Sequence, residues 1–138
     1  MDKKTIDDAL SAVNSDKATG IKIAIISVNE GKTLYAGEIP PGQLVRPHYH
    51  PHGDELYIII EGHGLMYIER PKPGFPQRVD DWGNPTPVYF EDFICIREGE
   101  AHCLHNNGTR RLVILFYCQP DHLTESNRVF VEPSPVTR

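Results

Sequence analysis

The stretch His48-Tyr49-His50-Pro51-His52-Gly53-Asp54-Glu55 decides both the fold and the chemistry of this chain. Side chains on a strand alternate between its two faces, so His48 and His50 can reach one ion only if the backbone is extended. His102 follows Glu55 by 47 residues and adds a third imidazole. Because three imidazoles and one carboxylate can close around a divalent ion, the spacing predicts a strand and a metal site together.

The composition indicates one soluble globular domain. The chain has 138 residues, of which 39% are apolar and 24% charged, and this length suits a single core. We divide it into an N-terminal helical segment (1–20), a barrel (21–118) and an extended tail (119–138). The net charge of -5 comes without a basic cluster, so no nucleic-acid surface is expected.

Targeting signals are absent from the sequence pattern. The first eight residues are polar where a secretory signal would be apolar, and the apolar runs around Ile58 and Leu112 are too short to cross a bilayer. We therefore expect a cytoplasmic location and no membrane partner. The odd number of cysteines and the lack of C-x-x-C spacing favour reduced thiols at Cys95, Cys103 and Cys118.

One helix and many short strands are predicted. A helix from Thr5 to Val13 is expected against the outside of a sheet, because its apolar residues share one face and Thr5 with Asp8 resembles a capping box. Further along, turn residues separate apolar segments, which predict strands near 21–28, 33–39, 44–50, 54–61, 65–70, 86–90, 92–97, 101–106 and 110–118. So many short antiparallel strands indicate a sandwich or barrel.

Two segments keep alternative interpretations. Residues 71–85 form the longest stretch without strand character, and they can be a functional lid or a solvated hairpin extension. In the tail, Val129-Phe130-Val131 can add an edge strand or cross to a second subunit.

The apolar segment Ile21 to Val28 is predicted to be buried on both faces, yet as the first strand it is a natural sheet edge. Because such edges are usually covered or paired, we expect a homodimer through this region.

The residues around the histidine pair resemble the first motif of the cupin superfamily. Gly42, five residues, His48-x-His50, four residues, Glu55, six residues and Gly62 match that motif at every defined position. The match is specific because it joins five residues of three types at fixed spacings.

The second cupin motif is matched in part. Gly99, His102 and Asn106 fit it, whereas Glu91 and Arg97 stand where a glycine and a proline are usual. Both departures concern turn geometry rather than metal ligation. The resemblance implies a small single-domain cupin, an all-β double-stranded β-helix (jelly-roll) barrel that holds a metal through His48, His50, Glu55 and His102.

The donor set restricts the metal and its ligand. Imidazole and carboxylate without thiolate suit one divalent Mn, Fe, Ni, Co or Zn ion, and four protein ligands leave two octahedral positions open. One carboxylate against a divalent cation leaves about one positive charge by formal counting. A small anionic ligand is therefore the expected partner.

Residue parity nominates further side chains for the pocket. Arg46 shares the face of His48 and His50, where it can hold a substrate anion or pair with an internal carboxylate. Tyr57 shares the face of Glu55, where it can act as general acid or hydrogen-bond donor, or simply pack. These two are the candidate catalytic residues.

The remaining histidines rank below the four predicted ligands. His52 is expected on a loop at the barrel mouth, where a contact to the metal ligands or to the substrate is possible. His63 and His122 are expected in solvent, and His105 is expected to point out of the barrel because its parity is opposite to that of His102.

Three classes of function remain open. The first is a metal enzyme in which the ion acts as a Lewis acid on a hydroxy-carbonyl or keto-acid substrate, as in isomerases and lyases of the superfamily. The second is an Fe(II)-dependent dioxygenase, and the third is a non-catalytic module that binds a small ligand. An enzyme of the first class is the leading hypothesis. The first two classes need the same ligands and differ in metal and pocket, so both stay open.

Overall fold

The computed structural model describes residues 1–137, which form ten strands in two antiparallel sheets of five strands each. The first sheet has the order β1-β2-β9-β4-β7 and the second β10-β3-β8-β5-β6. The strands are β1 (Lys22–Asn29), β2 (Lys32–Ile39), β3 (His48–Tyr49), β4 (Glu55–Glu61), β5 (Gly64–Glu69), β6 (Thr86–Val88), β7 (Phe93–Ile96), β8 (Ala101–His105), β9 (Leu112–Cys118) and β10 (Val129–Phe130). The predicted all-β barrel with one short α-helix is confirmed.

The core fills the space between the sheets. Along β4 the side chains alternate, so that Glu55, Tyr57 and Ile59 are buried and the residues between them are partly exposed. The inward residues of the other strands meet them in one apolar cluster, whose largest members include Tyr35, Ile39, Met66, Ile96, Leu104, Leu112, Ile114 and Phe116. This cluster is the hydrophobic core of the barrel.

The helix α1 (Ile6–Ser11) lies on the outer side of the first sheet. Thr5 begins it by accepting a hydrogen bond from the Asp8 amide at 3.0 Å, as the capping pattern predicted. Ala9 and Leu10 then pack on Ala24, Ala36 and Val113. None of the helices within residues 1–137 has the length and apolarity needed to cross a membrane.

The strand predicted over 44–50 is mostly irregular. Only His48–Tyr49 is regular strand, and Leu44 makes an isolated bridge to His105. Pro47 and Pro51 flank the short strand, and a proline has no N–H to donate to a neighbouring strand. The residues on either side of Pro47 therefore do not keep one continuous alternation.

Residues 71–85 pack on the outer side of the second sheet and hold the C-terminal tail. Val79 and Trp82 are buried against Ala101 and Val131. The Trp82 indole donates a hydrogen bond to the Pro133 carbonyl at 2.8 Å, and the Val79 amide donates to Glu132 at 3.0 Å. Val79 and Trp82 therefore anchor the tail, whereas most other residues of the segment are exposed.

The tail adds an edge strand. Val129 and Phe130 form β10 and pair with Tyr49 and His48 of β3, which confirms the first of the two alternatives for this segment.

The strand β1 forms an edge of the first sheet. The prediction that it is buried on both faces is wrong, because Ile25 and Val28 are 58% and 73% exposed. Ser15 bridges Lys22 at the start of this strand, and the homodimer stays a prediction.

Glu91 occupies a backbone conformation that favours glycine. Its φ is 73°, and its amide donates to the Ile59 carbonyl at 2.9 Å. This is the position where the second cupin motif usually has glycine, so the missing glycine leaves a side chain in the left-handed region.

Glu91→Gly is expected to raise the free energy of unfolding by about 1 kcal/mol, because it relieves this conformation. Thermal denaturation should show a melting temperature higher by about 3 °C. Glu125→Gly is the control, since Glu125 is exposed and its φ is not positive, and it should leave stability unchanged or reduced. Equal effects of the two substitutions would contradict the explanation.

Candidate metal centre

Three histidines are oriented by backbone carbonyls. The Nδ1 atoms of His48, His50 and His102 lie 2.7, 2.9 and 3.0 Å from the carbonyl oxygens of Arg46, Asn127 and Glu100, respectively. A carbonyl oxygen only accepts hydrogen bonds, so each Nδ1 carries the hydrogen and each Nε2 keeps its lone pair. This is the tautomer in which imidazole binds a metal through Nε2.

The three rings converge on one point. One ring nitrogen of each lies within 4.8 Å of the others, and His48 pairs directly with His102 across β3 and β8. All three are buried, and the Nε2 atoms of His50 and His102 have no hydrogen-bond partner among residues 1–137. A buried polar atom without a partner costs about 1–3 kcal/mol, which coordination of an ion would remove. The residues therefore fit a metal.

Glu55 joins this group from the start of β4. Its Oε2 lies 2.9 Å from His50 Nε2, although the two atoms do not form a hydrogen bond of good geometry. Glu55 clusters with His50 and His122, while His48 and His102 cluster with His50. His50 is common to both clusters, so Glu55 and His122 adjoin the three histidines on one side.

The protonation states also suit a divalent cation. Burial, together with repulsion from neighbouring imidazoles, lowers the pKa of His48 well below its ordinary value, and burial lowers the pKa of His102 to about 4 despite the attraction of Glu55. Burial alone would raise the pKa of Glu55, but its contacts with His122 and His50 hold that pKa well below the usual range. Neutral imidazoles and an ionised carboxylate are the forms that bind metals.

His122 belongs to the site, and the prediction that it is solvated is wrong. It lies in the 3₁₀-helix Pro120–Leu123 and is fully buried. Its Nδ1 donates to Glu55 Oε2 at 3.0 Å, its Nε2 donates to the His52 carbonyl at 2.8 Å, and its ring stacks on His50 with centroids 3.9 Å apart. Burial lowers the pKa of His122, but these two acceptors outweigh it and raise the pKa above the ordinary value.

No spacing pattern in the sequence could identify His122. It lies 67 residues after Glu55, beyond the last barrel strand, where strand parity no longer applies. The turn at Pro120 signals only that the chain changes direction there. The contact arises because the helix folds the tail back over the barrel mouth.

A small cavity of about 20 Å³ adjoins the ligands. Tyr57 lines it as parity predicted, and burial raises the pKa of its phenol well above 10, so the hydroxyl keeps its proton. The rest of the wall is mostly apolar and includes Ile21, Val45, Ile114, Phe116 and Leu123. No residue of 71–85 lines this cavity.

Arg46 does not line the cavity, and the expectation that it shares the inward face of His48 is wrong. It is exposed, with its guanidinium 3.8 Å from the centroid of the Phe130 ring. Val45 lines the cavity instead, because the alternation breaks between Val45 and His48 at Pro47. Another arginine, Arg128 of the tail, lies at the cavity wall.

The other candidate residues lie outside the metal site. The side chains of His52 and His63 are exposed, although the His52 backbone carbonyl accepts the bond from His122. His105 is partly exposed, on the opposite face of β8 from His102. Cys95, Cys103 and Cys118 form no disulfide among the described residues, and the Cys103 thiol donates to the Val45 carbonyl at 3.2 Å.

Comparisons with known proteins identify the fold. Residues 36–118 match the family model of the cupin domain, whereas no protein of curated function matches the sequence. A Klebsiella pneumoniae protein with a double-stranded β-helix domain superposes with a TM-score of 0.67 at 16% identity, over 95% of this chain and 97% of the other.

Two further structures are similar. A predicted oxalate decarboxylase from Thermotoga maritima has a TM-score of 0.57 at 22% identity, over 70% of this chain and 77% of its own. The formate complex of Lactobacillus farciminis oxalate decarboxylase has a TM-score of 0.57 at 20% identity, over 75% of this chain but only 29% of its own. At these identities the likeness shows the fold alone.

His122→Ala is expected to weaken metal affinity by about 10–100-fold, because it removes the N–H that orients Glu55 and leaves the buried carboxylate without that donor. His122→Asn, whose amide can still donate to Glu55, should recover part of the loss. Competition titration of Zn(II) or Mn(II) against a chromophoric chelator measures the affinity. His63→Ala is the control, and affinity equal to wild type in both His122 variants would contradict the assigned role.

Proposed function

Because the chain belongs to the cupin family, we propose that it is a metal-dependent enzyme that acts on a small anionic substrate by Lewis-acid chemistry of the lyase or isomerase type. The observation that carries this proposal is the convergence of three Nε2 lone pairs beside the Glu55 carboxylate and a small, mostly apolar cavity. A site that served only to stabilise the fold would not need a cavity next to its ligands.

His48, His50, His102 and Glu55 would hold one divalent Mn, Fe, Ni, Co or Zn ion. When bound, the ion would polarise a substrate oxygen and stabilise negative charge that develops on it. One carboxylate is too little to neutralise a divalent cation, so the donor set favours an anionic substrate.

The side chains of the cavity supply binding and proton donation. Tyr57 is buried and keeps its proton, so its hydroxyl can donate a hydrogen bond to a substrate oxygen or deliver a proton as the reaction proceeds. The apolar wall excludes water, which strengthens every electrostatic interaction inside. His122 holds Glu55 from the other side and keeps the carboxylate ionised.

The similar structures support lyase chemistry among the candidate classes. Two of them are described as oxalate decarboxylases, one in complex with formate, so this fold can carry out chemistry on compact carboxylates. The dioxygenase and the non-catalytic module use the same ligands and become outcomes of the tests. Substrate-dependent oxygen uptake with Fe(II) would support the dioxygenase, and ligand binding without turnover would support the module.

Protein purified without chelator is expected to contain close to one transition metal per chain. The metal content of His50→Ala should be lower by about tenfold or more. His52→Ala is a matched control two residues away, since the His52 side chain is exposed. Inductively coupled plasma mass spectrometry measures the content and identifies the native metal. Full metal content in His50→Ala would refute the ligand assignment.

Tyr57→Phe is expected to keep the metal and to lower turnover by about 100-fold or more, because it removes only the hydroxyl group that donates the proton. The assay is anaerobic, with oxalate, a keto acid and a hydroxy acid as probes, and follows carbon dioxide release and product formation by NMR. Turnover that requires oxygen, or that is unchanged in the variant, would count against the proposed chemistry.

A further inference from the structure

A guanidinium from the C-terminal tail lies at the wall of the metal cavity. Arg128 lines the same space as His48, His50, Glu55 and Tyr57. Its Nε is buried and makes no hydrogen bond to the described residues. Its charged group also lies 4.9 Å from the centroid of the Phe130 ring, which attracts a cation but leaves its N–H donors free to bind an oxyanion.

Residues on both sides hold Arg128 in place. On one side, the Asn127 carbonyl accepts the bond from His50 Nδ1 at 2.9 Å, and the Asn127 amide pairs with the His52 backbone at 2.8 and 2.9 Å. On the other side, Val129 and Phe130 pair with β3. The backbone of Arg128 is thus ordered before any ligand arrives, so less entropy is lost when its side chain binds one.

The burial of this charge is compensated only in part, by Asp16 and by the Phe130 ring. Burial lowers the pKa of Arg128, attraction from Asp16 opposes this, and repulsion from Arg46 adds to it. Arginine nevertheless stays charged. Phe130 contacts two arginines, but Arg46 is exposed to water whereas Arg128 faces the cavity. A partly buried cation beside a metal site is unfavourable unless an anion joins it.

We propose that Arg128 is the residue that recognises the substrate, and that the substrate is a compact carboxylate with a second oxygen that reaches the metal. The planar fork of a guanidinium matches a carboxylate through two parallel hydrogen bonds. A cavity of about 20 Å³ holds little more than one water molecule, so it favours the smallest carboxylates over sugars. This inference rests on the proposed function, since the metal completes the binding of the substrate.

The test compares an anion with its neutral isostere in the Mn(II)-loaded protein. Formate and formamide have nearly the same shape and differ in charge, and oxalate adds the second carboxylate. Water-proton relaxation of bound Mn(II) reports when a probe displaces water from the ion. Arg128→Gln should weaken formate and oxalate binding by about 10–100-fold and change formamide binding by less than about twofold, because a lost charge-assisted hydrogen bond is worth roughly 1.5–3 kcal/mol.

Two further variants make the result specific to Arg128. Arg128→Lys keeps the charge without the planar fork and should recover part of the affinity. Arg46→Gln removes the other guanidinium from Phe130 and should stay within about twofold of wild type, because Arg46 is outside the cavity. The manganese content of every variant is measured in parallel.

The outcomes separate this inference from the proposed function. Failure of the wild-type protein to bind manganese would refute the proposed metal site itself. Normal manganese content with unchanged formate and oxalate affinity in Arg128→Gln would overturn the role of Arg128 alone. Equal losses for formate and formamide, a larger loss in Arg46→Gln, or a wild-type protein that binds neither anion would overturn it as well.

Discussion

The hydrogen bond from each ligand histidine to a backbone carbonyl is the interaction on which the site depends. It fixes the tautomer and the ring orientation, and so directs each Nε2 to a common point. For His48 and His102 the carbonyl lies two residues earlier in the chain, just before the strand that carries the histidine. For His50 it belongs to Asn127, which is 77 residues further along the chain. The metal site is therefore complete only when the tail is docked.

The docking of the tail explains why the segment 71–85 matters without touching the site. Val79 and Trp82 bury their side chains against Val131 and bond to Glu132 and Pro133, while β10 pairs with β3. These contacts hold the stretch that follows Arg128 against the outer side of the second sheet. The tail residues before Arg128 then cover the cavity from the inner side. One end of the tail stabilises the fold, and the other supplies side chains to the site.

The sequence predicted the parts of the site that obey strand periodicity. His48 and His50 are two residues apart on an extended segment, Glu55 and Tyr57 alternate inward on β4, and His102 lies opposite His48. Arg46 has the same parity, yet Pro47 interrupts the strand and the prediction failed there. The alternation of a strand predicts on which face a side chain lies only as long as the strand is unbroken.

The tail could not be predicted because its contacts are long-range and lack a repeating pattern. His122, Asn127 and Arg128 reach the barrel through a short 3₁₀-helix and an irregular turn, where no period of two or 3.6 residues applies. The hydrogen bonds of His122 to Glu55, and of Asn127 to His50 and the His52 backbone, join residues far apart in sequence. A single sequence shows only that such polar residues are present, and the fold decides which of them are buried.

The charges around the cavity explain why it should select anions more strongly than the four ligands alone. Both nitrogens of His122 face acceptors, so this ring contributes a positive charge beside Glu55, and Arg128 contributes another at the wall. With a divalent ion in place, formal counting against the one carboxylate gives about three positive charges in a mostly apolar enclosure. Unneutralised charge of that size is costly to keep out of water. A small dianion would remove most of this cost, so the same desolvation that destabilises the empty pocket would drive ligand binding.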